Sequence, residues 1–154
     1  MIKQDVDARD EPGHDEKESP MVYLIAYIAA LVPFGVVDAI WLSLMGPALY
    51  KPTLGDILLP DLRVGPAIAF YLIFPIGLVV FAVLPGLKSG SVVTALALGM
   101  LFGALAYATY DLTNFATLRN WTLQITLLDI AYGAIASGLA AVASVLVLRA
   151  LSYT

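Results

Sequence analysis

Residues 123–151 read LQITLLDIAYGAIASGLAAVASVLVLRAL. Apolar and small side chains occupy every face of this run, and Asp129 is its only charge before Arg149. A helix that is apolar all round has no side for water. The run is longer than the ~20 residues that cross a hydrocarbon core ~30 Å thick. It also lacks the period-2 alternation of a membrane strand. Residues 123–151 therefore read as a membrane-spanning helix.

Three more stretches of this kind precede it, at about 21–45, 65–84 and 91–112. The expected fold is all-α: a polytopic membrane protein with an antiparallel four-transmembrane-helix bundle over residues 21–154. The composition agrees. Hydrophobic residues make up 60% of the 154 and charged residues 13%, against about a quarter charged in soluble domains. So much apolar surface cannot be hidden in a core of this size. An ordinary soluble enzyme, a nucleic-acid binder and a wholly disordered chain are excluded. The connections are expected to be a long loop over 46–64, a tight turn over 85–90 and a short polar loop over 113–122. Ile57-Leu58-Leu59 in the first is a candidate interfacial segment. Pro33 and Pro75 lie inside the first and second helices, where each removes a backbone donor and is expected to kink its helix.

Charge is concentrated at one end. Residues 1–20 hold three basic and seven acidic residues, and the remainder holds five of each. This segment has no apolar periodicity and reads as a disordered acidic tail. Lys3, Arg9, Lys17, Lys88 and Arg149 fall on one side of the membrane and Lys51, Arg63 and Arg119 on the other. That bias favours both termini in the cytoplasm.

Two sets of small residues suit close helix packing in lipid: Gly99 and Gly103 in the third helix, and Gly133 and Gly138 with Ala134, Ser137 and Ala141 in the fourth. Packing within the bundle is the main expectation, and a homodimer face is the alternative.

Three carboxylates, Asp38, Asp111 and Asp129, lie in or at the ends of the apolar runs. A charge at a bilayer centre costs ~2.5–3.5 kcal/mol even on the milder insertion scale, so each calls for a reason. Asp38 is seven residues from the end of the first helix, and Asp129 is six residues after Leu123. At 1.5 Å per residue, both lie ~10 Å below the same surface. Asp111, beside the third loop, reads as shallower and as a candidate structural partner of Arg119. Trp41, Tyr71, Tyr107, Asn114 and Arg119 fall in the same leaflet, with Tyr50, Arg63, Tyr110, Thr113, Trp121 and Gln124 around the two loops. The candidate polar site is thus Asp38, Trp41, Tyr71, Tyr107, Asp111, Asn114, Arg119 and Asp129. An aromatic belt at the interface explains part of this layer equally well.

Residues 21–154 contain no His, Glu or Cys. Histidine-box di-iron centres, Glu/His di-iron bundles, His-ligated haem and thiol chemistry are excluded. No nucleotide-binding loop is present. No cofactor and no metal is expected; three aspartates with neutral oxygens would suit only a hard cation.

Tyr110-Asp111-Leu112-Thr113-Asn114, continuing through Ala116-Thr117-Leu118 to Trp121, resembles the signature of a family of small bacterial inner-membrane proteins. That family is catalogued as a domain of unknown function with four membrane helices. The resemblance extends to Asp38-Ala39-Ile40-Trp41, Tyr50, Phe70-Tyr71 and Asp129, and covers residues 22–149. It implies a multi-pass protein of the bacterial inner membrane. The proximity of the family's genes to genes for fatty-acyl modification implies a lipid-related role.

Two functional classes lead. In one, the Asp/Tyr layer binds, or acts on, a lipid or fatty-acyl molecule. In the other, the protein is a non-catalytic scaffold that recruits a membrane-enzyme partner. A small proton-coupled transporter is a weaker third. Whether the protein is an enzyme stays open at this point.

Overall fold

The computed structural model describes residues 20–153. The acidic segment expected to be a disordered tail lies outside these residues, apart from Pro20. All secondary structure described is helical. Helix α1 spans Pro20–Met45. A π-helical turn, Gly46–Tyr50, leads into the short α2, Lys51–Leu54, and a 3-10 turn, Gly55–Ile57. Helix α3 is Val64–Leu78, followed by a second π turn, Val79–Val83, and α4, Leu84–Lys88. Helices α5, Val92–Thr117, and α6, Leu123–Ala150, complete the chain. Four helical segments are long and apolar enough to cross a membrane: Pro20–Ile57, Val64–Lys88, Val92–Thr117 and Leu123–Ala150.

The outer and inner faces are both apolar. In α1, Val22, Ala26, Ala30, Phe34 and Asp38 recur every four residues and are buried. Leu24, Ile28, Val32, Val36 and Ile40 recur with the same spacing and are exposed. The second stripe faces outward, where a bilayer would cover it.

Helix α6 is the centre of the bundle. Helices α5 and α1 pack along it, whereas α3 touches α1 and α5 over shorter stretches. The α5–α6 seam rests on glycine. A Cβ on Gly103 would lie 2.1 Å from the Gly133 carbonyl oxygen, and one on Gly99 would lie 2.9 Å from both Ala141 Cβ and the Ser137 carbonyl oxygen. Gly133 receives the Tyr107 ring, and Gly138 faces Met100 and Leu96. All four glycines thus meet neighbours inside one bundle. Across the α1–α6 seam, Ser144 Oγ donates to the Ala26 carbonyl at 2.8 Å.

Helix limits differ from the sequence reading at three places. The loop expected over 46–64 is helical as far as Ile57, despite Pro47 and Pro52. Proline is tolerated at the start of a helical turn, where its missing N–H has no partner to lose, and each of these prolines occupies such a position. Gly55, at φ 54° and ψ −122°, takes a positive-φ conformation that favours glycine at the end of α2. The turn expected over 85–90 shrinks to Ser89–Gly90, because Pro85 and Gly86 are held in α4. Gly90 supplies the positive φ of 61°.

The third helix runs to Thr117 rather than stopping near 112. Its polar end looks like a loop in sequence, but Thr109, Thr113 and Thr117 each donate a hydroxyl to the carbonyl four residues back, at 2.7 Å. Such back-bonding satisfies the hydroxyls inside the helix. Ser91 and Thr122 cap α5 and α6, accepting from the amides of Thr94 and Ile125.

Pro33 and Pro75 remain within α1 and α3. Close to Pro75, the Leu72 carbonyl accepts a hydrogen bond from the Tyr27 hydroxyl at 3.0 Å.

Candidate functional site

At one end of the bundle, the short packing of α3 leaves a cavity of about 600 Å³. Asp38, Trp41, Tyr50, Tyr71, Tyr107, Trp121, Asp129 and Tyr132 line it, among apolar residues from the α1–α3 connection. Each carboxylate is held by aromatic hydroxyls. Tyr71 and Tyr132 both donate to Asp38, the second at 2.9 Å to Oδ1. Tyr50 donates to Asp129 Oδ1 and accepts from Trp41 Nε1 at 2.8 Å. Asp38 therefore ties α1 to α3 and α6, and Asp129 ties α6 to the π turn after α1.

The π turn decides which way Tyr50 points. In an uninterrupted α-helix, nine residues at ~100° each would place Tyr50 about half a turn away from Trp41. A π turn takes up one extra residue and swings the chain beyond it back by ~100°. Tyr50 can then reach both Trp41 and Asp129. Trp41 also stacks on Tyr132, with ring centroids 4.2 Å apart and planes 10° apart. Tyr107 packs edge-on against Tyr132 and lines the cavity, with no hydrogen bond from its hydroxyl among the described residues.

The three carboxylates are not equivalent. Asp38 is 5% exposed, and both its oxygens accept from tyrosines. Asp129 is 7% exposed; Oδ1 accepts from Tyr50, and Oδ2 has no hydrogen-bond partner among the described residues. Asp111 is fully buried, and neither of its oxygens has a partner there. Its position is a correction to the sequence reading. Asp111 is neither shallow nor beside a turn: it lies six residues inside α5, on the stripe of Gly99, Gly103 and Tyr107 that faces α6. Arg119, its expected partner, is exposed in the turn beyond α5. Asn114 is half-buried, and neither it nor Arg119 nor Asp111 lines the cavity.

Tyr50, Trp121 and Tyr132 line the cavity but are not in the candidate polar site read from sequence, where Trp121 is placed only beside the third loop. Sequence places Tyr50 only in the loop region, because the π turn that aims it leaves no clear mark there. Tyr132 has a usable signal: it lies one helical turn beyond Asp129 and so shares its face.

The cavity continues into apolar space. Phe70, Tyr107 and Tyr110 line both it and a neighbouring cavity of about 420 Å³, which also touches Phe74 and Ala106. Phe70 and Phe74 then line a third, of about 380 Å³, with Ile73, Ile76, Gly77 and Phe102. These spaces run along the gap between α3 and α5, away from the carboxylates and along the membrane-spanning length.

A family model described as "Predicted membrane protein (DUF2177)" matches residues 23–146. The chain belongs to this family. The DUF2177 match takes in every cavity residue named above and all but the ends of the first and last spans. No curated protein and no solved structure matches the chain.

Proposed function

We propose that this DUF2177 protein binds an amphipathic, lipid-like molecule, with its head in the Asp38/Asp129 cavity and its chain in the gap between α3 and α5. The observation that carries this reading is the shared lining: Phe70, Tyr107 and Tyr110 belong to both the polar cavity and the apolar space beside it. A ligand with one polar and one greasy end matches such a site, which combines few placed polar groups with a mainly apolar wall. Of the two leading classes, recruitment of a partner through the small-residue faces has less support, because those glycines are occupied inside the bundle. A bacterial inner membrane is the proposed location, with both termini cytoplasmic and the cavity in the outer leaflet.

Retention of lipid through purification tests the reading. Full-length protein, extracted in a maltoside detergent and exchanged exhaustively, should carry a defined amphiphile in near-stoichiometric amount by mass spectrometry. Ala106→Phe, which fills the gap beside Phe70 and Phe74, should lose it. Equal retention by parent and variant, or none by the parent, would refute the proposal.

A further inference from the structure

The chemistry of the cavity says more about the head of its ligand. Its lining contains two aspartates, aromatic hydroxyls and two indoles, but no Lys, Arg or His. The cations of this end of the bundle, Lys51, Arg63 and Arg119, are exposed and lie outside the lining. An anionic head, such as a carboxylate or a phosphate monoester, would meet two carboxylates at close range with no cation to offset them. Like charges at such range repel.

A cationic partner is what the site lacks. Asp129 is more than nine-tenths buried and lines the cavity with Oδ2 unpartnered. An ionised acceptor open to the cavity gains most from a charged donor. A bare inorganic cation would use the carboxylate oxygen but leave the apolar gap between α3 and α5 unexplained.

Resting on the amphiphile reading above, we infer that the ligand's head is a protonated amine, which donates to Asp129 Oδ2 while a single hydrocarbon chain runs past Phe70 and Phe74. A primary alkylamine is protonated at neutral pH, as lysine is. Asp38, with both oxygens already held by tyrosines, is a positioning residue that fixes the cavity wall.

Tryptophan fluorescence reads this site selectively, because the chain has two tryptophans and both line the cavity. Full-length protein in maltoside micelles at neutral pH is titrated with hexadecylamine, hexadecanol and hexadecanoate. Hexadecylamine should give a saturable change in emission at a concentration at least about tenfold below hexadecanol, with hexadecanoate weakest. In Asp129→Asn the preference for the amine over the alcohol should vanish while the alcohol's own response persists. Hexadecanoate or hexadecanol binding as tightly as the amine would overturn the amine assignment and leave the amphiphile reading standing. So would an unchanged amine preference in Asp129→Asn. No saturable response to any of the three would overturn both. The comparison of probes on the unaltered chain decides the question even if the variant fails to fold.

Discussion

The α5–α6 seam gives a graded test of how the bundle is held. A Cβ on Gly103 would lie 2.1 Å from the Gly133 carbonyl oxygen and 2.4 Å from Ser137 Oγ. Ordinary carbon–oxygen contacts are ~3.3 Å or more. Gly103→Ala therefore forces the helices ~1 Å apart, because the nearest obstacle is backbone and cannot rotate away. Overpacking of a tight core costs ~1–3 kcal/mol, and this site belongs at the upper end. In a chain of this size that corresponds to a fall in melting temperature of roughly 6–12 °C. Gly138→Ala meets Met100 Cγ at 2.6 Å and Leu96 Cδ1 at 3.0 Å. Both are flexible side chains, methionine repacks readily, and the nearest backbone atom, the Leu96 carbonyl oxygen, is farther at 3.2 Å, so the loss should fall at the lower end, ~1 kcal/mol. Gly35→Ala meets nothing within 4 Å and should gain ~0.5–1 kcal/mol from helix propensity alone. Thermal unfolding of the three variants in one detergent, monitored by near-ultraviolet circular dichroism, checks the order. If Gly103→Ala melts with or above Gly35→Ala, the two helices do not approach through Gly103 and the described seam is wrong.

The same contacts set further expectations. Ser137 Oγ is buried without a hydrogen-bond partner, so Ser137→Ala should melt at the same temperature as the parent or above it, by up to ~1 kcal/mol of added stability. Gly133→Ala would push the Tyr107 ring, 2.3 Å from the new Cβ, toward the cavity; its response to hexadecylamine should weaken more than that of Gly99→Ala, measured by tryptophan emission. Asp38→Asn should fold normally, because an amide oxygen still accepts from a tyrosine, whereas Asp38→Leu leaves the Tyr71 and Tyr132 hydroxyls without an acceptor and should lose ~1–3 kcal/mol in the same melts. A reporter active only in the periplasm, fused after Thr154, should be silent; strong activity would reverse the proposed orientation and move the cavity to the cytoplasmic leaflet.

The number of spans and their approximate limits are legible because apolar length is nearly sufficient to define a membrane helix. Local chemistry at the ends is not. Thr113 and Thr117, in the stretch that reads as a loop, stay in α5 with their hydroxyls bonded to carbonyls four residues back. Pro47 and Pro52, which read as breakers, each sit at the start of a helical turn. Depth below one surface groups Asp38, Trp41, Tyr71, Tyr107 and Asp129, and all five line the cavity. Distance along the helix separates them from Asp111 and Asn114, which lie one and two turns beyond Tyr107 on the same side of α5, and Arg119 lies in the turn after it. Azimuth is invisible to depth. It also depends on the π turn at Gly46–Tyr50, which rotates the chain beyond it toward α6 through a change in hydrogen-bond register rather than through residue type. That is why Tyr50 needs coordinates and Tyr132 needs only the helical repeat.

The two cavity carboxylates divide their work through their hydrogen bonds. A buried carboxylate that accepts two tyrosine hydroxyls from two other helices is a fastening: Asp38 fixes the spacing of α1, α3 and α6 at the level of the cavity. With the wall so fixed, α3 can diverge from α5 farther along without the site collapsing, and the shared lining of Phe70 and Phe74 tracks that divergence. Asp129 is fastened on one side only, through Tyr50. The same tyrosine accepts from Trp41, so the hydrogen-bond chain from Trp41 to Asp129 orients the carboxylate and leaves its second oxygen to the cavity. Rigid support on one oxygen and freedom on the other is the arrangement a binding group needs, since the ligand then does not have to order the carboxylate itself. The asymmetry between Asp38 and Asp129 thus agrees with the proposed ligand-binding reading.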